Sequence, residues 1–223
     1  MEIKFKRNIN EFKYLVMFDL ASKISGVCLW DIVNHAPIST EILKVTGKCE
    51  LPASELYDLI DNYFDRLNKT GILLEEVLVS FESAPMQAGR FTTAQTLISL
   101  GKSHAVLDLY CYRNNIAEYD YVGVAPITTH SYFKKIKELD SKAPVEKEDI
   151  HQYVIDTYGL DTKFLDESDA VFLAQTLLEC RWDKDITEKI KEIKRHRKTL
   201  KAAHAIKSCD EEIARLNELK INK

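Results

Sequence analysis

Between Tyr14 and Asp31 the chain reads YLVMFDLASKISGVCLWD: an apolar run ending on one carboxylate, Asp19, then a polar turn with Gly26, then a second apolar run. This predicts a strand, a tight turn and a returning strand, with an acid where a buried strand ordinarily carries Val or Ile. The segments 14 to 20, 25 to 33 and 38 to 45 form three short strands of an antiparallel meander. ELYDLIDNYFDRL, 55 to 67, places Leu56, Leu59, Ile60, Tyr63, Phe64 and Leu67 at helical spacing, with Pro52 at its entry and Gly71 just past its end. It predicts an amphipathic helix. EVLVSFES, 76 to 83, is a further strand and carries a second acid, Glu82, at its end. A long helical pattern from 92 to 113 leads to a strand over 116 to 126, closed by Pro126, and then to helices over 128 to 139, 145 to 158 and 166 to 182.

Three strands followed by alternating helices and strands specify an α/β layer architecture. The expected form is a mixed five-stranded sheet, an antiparallel meander and then parallel strands, flanked by helices. Residues 1 to 182 make this domain, and residues 183 to 223 are a different kind of sequence. There Ile186, Ile190, Ile193 and Leu200 share one helical stripe under a cover of Lys and Arg, and Ser208 with Glu211 forms a capping box that would open a second helix. The tail is a basic helical hairpin or a single helix.

Composition narrows the class. The 223 residues are 45% hydrophobic and 30% charged, as in a water-soluble globular protein. The charged N-terminal segment has no apolar core of a signal peptide, and no apolar run reaches a membrane-spanning length, so a cytoplasmic protein with no membrane partner is expected. Five cysteines without CxxC spacing argue against a disulfide framework or structural zinc. The net charge of −4 hides a division, because residues 184 to 223 carry twelve Lys and Arg against seven Asp and Glu. That tail is +5 and the body is −9, so the overall sign does not exclude nucleic acid.

Asp19 and Glu82 each close or nearly close an apolar strand, and LDESDAVFLAQTLL, 165 to 178, places Asp166 and Asp169 on one face at the start of an apolar helix. Taken singly each has an ordinary explanation: Asp166 is a first-turn acid favoured by the helix dipole, and the strand acids are loop-edge carboxylates. Together they border segments that must converge on one core, where four uncompensated carboxylates repel. Divalent cations remove the conflict, and oxygen-only ligands select Mg²⁺, with Mn²⁺ as substitute, over zinc. Two such ions about 3.5–4 Å apart suit phosphodiester hydrolysis. The chain has no nucleophile elbow and no glycine-rich phosphate loop, so neither an acyl-enzyme mechanism nor a nucleotide cofactor is expected.

FDLASKISG resembles the first-strand motif of the RuvC-type Holliday-junction resolvases of the RNase H-like superfamily, in which an Asp ends the first strand before a Ser- and Gly-containing turn. Glu82 in LVSFES and the pair in DESDAVFLAQ match the family's remaining acids in kind and order, over residues 14 to 180. The phage-encoded branch, such as that of lactococcal phages, is the most similar, which implies the host cytoplasm. The resemblance implies an RNase H-like fold and a homodimer that nicks two opposing strands of branched DNA, four-way junctions and replication forks, in recombination and repair. It implies metal ligands at Asp19, Glu82, Asp166 and Asp169. A family lysine matches Lys147, which is otherwise a solvated lysine at a helix start. Where bacterial members carry an aromatic wedge this chain has Pro85 and Met86, leaving Phe91 as the substitute and Arg90 as a phosphate contact beside it.

In the tail, Lys194, Arg195, Arg197 and Lys198 contact DNA phosphates if the tail binds DNA; the competing reading is a solvated face that only packs. Two rival functions stand beside the nuclease. One is an RNase H-like module that binds branched DNA without cutting it. The other is an actin-like ATPase, whose fold needs a second such domain that 223 residues do not hold.

Overall fold

A computed structural model describes residues 11–47, 52–83, 93–118, 123–200 and 203–218; the side chains of 180–185 and 203 lie outside the description. The chain divides into two compact units, Met1–Ala174 and Gln175–Lys223. No described helix is long and apolar enough to cross a membrane.

The first unit is built on a five-stranded sheet of order β3-β2-β1-β4-β5, the mixed sheet expected from the sequence. Its strands are β1 (Tyr14–Asp19), β2 (Ile24–Asp31), β3 (Ala36–Lys44), β4 (Val77–Phe81) and β5 (Ala117–Glu118). β1 lies at the centre, antiparallel to β2 and parallel to β4. It is covered on both faces, which is why its sequence is a continuous apolar run rather than an alternation. Val16 and Phe18 point to one side, into a core closed by α1 (Pro52–Lys69) and α2 (Ala94–Asn114). There Phe64 stacks on Tyr110 at 5.3 Å. By the period of two, Leu15, Met17 and Asp19 face the other side.

That second side carries α3 (Pro126–Ile136), α4 (Lys147–Tyr158) and α5 (Leu165–Thr176). Phe172 of α5 packs against Tyr132, Phe133 and Tyr153 with ring centroids 5.5–5.7 Å apart. Trp30 of β2 meets Tyr158 of α4 edge-on at 5.4 Å. These aromatic contacts fix α5 in place, and α5 brings two of the acids.

Several boundaries differ from expectation for local reasons. Pro126 does not close a strand but opens α3 at its first turn, where its missing N–H costs nothing. Helical conformation does not stop at 182: a π-helical turn, Leu177–Arg181, is followed directly by α6 (Trp182–Arg197). In the second unit α6 pairs with α7 (Ala203–Glu218) as a helical hairpin, burying Ile186, Ile190 and Leu216. α7 opens at Ala203, so Ser208 and Glu211 lie inside the helix and do not cap it. Alanine, the strongest helix former, carries the first turn without that cap.

Gly26 also departs from its expected place. It lies within β2, paired with Asp19, not in the turn. A Cβ there would fall 1.9 Å from the backbone oxygen of Asp166, on the face that Asp19 occupies. The missing side chain is what lets the first turn of α5 settle against the sheet beside Asp19. Gly26→Ala is therefore expected to destabilise the protein by about 3 kcal/mol, at the upper end of overpacking costs. Urea unfolding checks this, and an unchanged midpoint would show that α5 can withdraw freely.

Candidate active site

Asp19 and Glu82 end adjacent parallel strands and share a face. The register pairs Met17 with Ser80 and Phe18 with Phe81, and the Glu82 N–H continues it by donating to the Phe18 carbonyl at 2.9 Å. Glu82 is held from its other side through Val124, whose N–H donates to the Phe81 carbonyl at 2.8 Å and whose carbonyl accepts from Ser83 N–H at 2.9 Å. Gly123, at φ +70, permits this, since a Cβ there would meet the Phe81 oxygen at 2.5 Å. The turn after Asp19 is tied by Ser25, whose Oγ accepts from Ala21 N–H at 3.1 Å, and by Ser103, which donates to the Ala21 carbonyl at 3.3 Å.

Asp166 and Asp169 lie in the first turns of α5. The start of that helix is closed by Glu167, which accepts from the N–H groups of Lys163 and Phe164 at 2.9 and 3.0 Å and receives the Thr40 hydroxyl at 3.3 Å. This satisfies backbone donors that a helix start leaves open. With α5 seated on Gly26, carboxylate oxygens of Asp19, Asp166 and Asp169 lie within 4.8 Å of one another. Glu82 stands outside that tight group but faces it.

Lys147, the first residue of α4, reaches the pair. Its Nζ lies 2.5 Å from Asp169 Oδ2 and 3.3 Å from Asp166 Oδ1. One turn along, His151 Nδ1 is 2.8 Å from the buried Ser168 hydroxyl, which is itself 3.0 Å from Thr162 Oγ1. This small polar network ties α4 to α5 and so positions Lys147.

The electrostatics reflect crowded, buried acids. Burial first, then the Asp169 charge, pushes Asp19 up to about 7 despite Lys147. Burial and then the charges of Asp19 and Asp169 push Glu82 up to about 8. Asp169 is raised by burial, with the Lys147 hydrogen bond opposing. Burial would lower the Lys147 ammonium, but its hydrogen bond to Asp169 and the surrounding carboxylates outweigh this and hold it above its ordinary range. One lysine is too little charge for four carboxylates. The tight group offers only carboxylate oxygens, with no described histidine or cysteine among them, so its chemistry fits a hard divalent cation such as Mg²⁺ or Mn²⁺ rather than zinc.

Gly26, Ser25, Glu167 and the His151–Ser168–Thr162 network are site-building residues that sequence reasoning missed. Glu167 carried a readable signal, a Glu at the third helical position. The others act through partners distant in sequence. The remaining candidates lie elsewhere: Arg90 and Phe91 fall outside the described residues. Lys194 and Arg195 are on α6 in the second unit and Lys198 is in the turn just past its end, where with Lys191 they line one concavity. Arg197, on the same helix, forms a two-point ion pair with Asp210 at 2.6 and 2.9 Å.

No protein-family model matches the chain, and no curated protein matches it. Solved structures do. Thermus thermophilus RuvC in complex with a Holliday-junction substrate aligns with a TM-score of 0.53 and 11% identity, over 73% of this chain and 91% of that one. The Thermus thermophilus RuvC structure aligns with a TM-score of 0.52 and 14% identity, over 73% and 92%. At these identities the likeness is one of architecture, and the first unit's mixed sheet and flanking helices have the RNase H-like fold of RuvC.

Proposed function

We propose that the protein is a RuvC-type resolvase: a metal-dependent, structure-selective endodeoxyribonuclease that hydrolyses phosphodiester bonds of branched DNA by paired nicks. The observation that carries this reading is the convergence of Asp19, Asp166 and Asp169 within 4.8 Å, with Glu82 on the neighbouring strand and Lys147 across them. A module that only bound DNA would gain nothing from burying acids that repel its ligand. Mg²⁺ or Mn²⁺ held by these four carboxylates would supply water activation and stabilisation of the departing 3′ oxygen.

The chain's own residues divide the remaining work. Asp19 stands between Glu82 on one side and the α5 pair on the other, so it is the carboxylate common to both halves of the ligand set. Asp19, Glu82 and Asp169, all raised by burial, would gain from a cation as partner. Lys147 carries the positive charge that can turn from the α5 acids to a phosphate oxygen of the substrate. Its position is set by the His151 contact to Ser168.

Paired nicks in opposing strands require two such sites related by a two-fold axis, hence a homodimer. A surface suited to it runs along α2, where Ile98, Leu109 and Tyr112 are 54%, 43% and 85% exposed and the small Gly101 and Ala105 lie between them at helical spacing. The resemblance of FDLASKISG to the phage-encoded branch further supports an enzyme of the host cytoplasm acting in recombination and repair.

Incubated with Mg²⁺ or Mn²⁺, the protein is expected to cut a synthetic four-way junction by paired nicks near the branch point and to leave linear duplex intact. Asp19→Asn and Glu82→Gln should lose cutting while keeping junction binding, and residual activity across the four acids should be lowest for Asp19→Asn. Equal cutting of linear duplex would make it a general nuclease, and binding without any cutting would make it a non-catalytic module.

A second expectation needs no DNA. Acids whose folded values are raised keep their protons in the native state after the unfolded chain has lost them. In chelator, stability should therefore fall as pH rises from about 4 toward the 7 to 8 reached by Asp19 and Glu82. Asp19→Asn should flatten that fall, and added Mg²⁺ should raise the melting temperature most above the same window. Thermal melts across pH test all three, and a Mg²⁺ effect undiminished in Asp19→Asn would place the cation elsewhere.

A further inference from the structure

The helical hairpin of the second unit sorts its cations. Of its eight described Lys and Arg beyond residue 186, four are paired with acids: Lys189 with Glu192, Arg197 with Asp210, Lys207 with Glu211 and Arg215 with Glu212. The other four, Lys191, Lys194, Arg195 and Lys198, have no acidic partner within ion-pair distance among the described residues. They are all exposed, and they are the residues that line one concavity. Spacing of three and four puts Lys191, Lys194 and Arg195 on a single face of α6, and Lys198, in the turn just past Arg197, lines the same concavity. Like charges gathered on one helical face weaken the helix unless an anion offsets them. Four of the hairpin's acids, Glu192, Asp210, Glu211 and Glu212, are engaged with its other cations.

We propose that this basic face, the end of α6 with the turn that follows it, is a phosphate-backbone contact for a duplex arm of the DNA, made by Lys191, Lys194, Arg195 and Lys198, while Arg197 belongs to the hairpin's internal scaffold and not to the DNA. The proposal deepens the branched-DNA reading above and rests on it for the choice of polyanion. From Lys191 to the helix end at Arg197 is about 9 Å, which faces about five phosphate charges of duplex axis. The residues around the concavity are all Lys and Arg, with no aromatic or carboxylate side chain among them, so the face brings the cationic groups that a phosphate backbone needs. It reads no bases. It adds affinity to any duplex arm and leaves selectivity to the junction's shape.

The test uses full-length protein carrying Glu82→Gln, in chelator, on a four-way junction and on linear duplex, with log K measured against log salt. Replacing Lys191, Lys194, Arg195 and Lys198 together by Ala should lower the slope by about 3 to 4 on both DNAs, close to 0.9 per phosphate contact. Arg197→Ala should leave the slope unchanged. A quadruple variant with the parent's slope, or an Arg197→Ala slope that falls as far, would overturn the proposal. A readout without substitution guards against misfolding: bound duplex should protect Lys191, Lys194 and Lys198 from acetylation and leave Lys207 as reactive as in free protein. Equal reactivity of all four lysines with and without DNA would also overturn it. Failure of the two readings is distinguishable. Loss of slope on linear duplex in a protein that never cuts junctions upholds this contact and sinks the resolvase, whereas junction cutting with an unaltered slope does the reverse.

Discussion

Carboxylates brought together away from water repel, and most of the first unit can be understood as the means of holding Asp19, Glu82, Asp166 and Asp169 against that repulsion. Two of them are fixed by the sheet itself. Asp19 ends the central strand and Glu82 continues the next one, so neither can move without breaking the ladder bond between Glu82 N–H and the Phe18 carbonyl. The other two arrive on α5, which is pressed onto Gly26 by the packing of Phe172 among Tyr132, Phe133 and Tyr153. Burying one aromatic side chain is worth about 2–3 kcal/mol, so an aromatic cluster of this size can offset the electrostatic cost of the site beside it. Lys147 relieves part of the rest.

Raised carboxyl pKa values alone do not distinguish the site. Glu118, on β5, is also pushed up to about 7, by burial and then by the Asp108 charge. What separates the two places is convergence. Asp19 and its partners present oxygens to a common point with a lysine across it, whereas for Glu118 the second-ranked influence is one neighbouring acid. A buried acid is a cost; several buried acids aimed at one point are a cost with a use.

This difference also explains what could be read from sequence. Asp19 and Glu82 were conspicuous because an acid in an apolar strand is a local anomaly, and the Asp166 and Asp169 pair because three-residue spacing fixes a helical face. The sheet was legible for the same reason, as β1, β2 and β4 are short apolar runs with clear boundaries. Gly26 was not, because its reason for being glycine is the backbone of Asp166, far along the chain, while its neighbours Ser22, Lys23 and Ser25 suggest a turn. Pro126 was ambiguous since the same ring ends a strand or opens a helix. Ser208 and Glu211 match a capping box in spelling, but the alanines before them let α7 begin earlier.

The two units treat charge in opposite ways, and the contrast bears on how a single ligand can serve both. The first unit gathers negative charge in a half-buried place, where its effect is strong because little water screens it. The second spreads unpaired positive charge over an exposed helical face, where each cation is weak and salt-sensitive. On the proposed reading a polyanion would gain from both, since its many phosphates would satisfy the exposed cations and a single phosphate would meet the acids once these had taken up divalent cations. The acid site alone would repel DNA, and the basic face alone would hold it without consequence. On that reading capture and chemistry would be separable: affinity could be tuned on the basic face without touching the carboxylates, two of which the sheet fixes and two of which α5 carries.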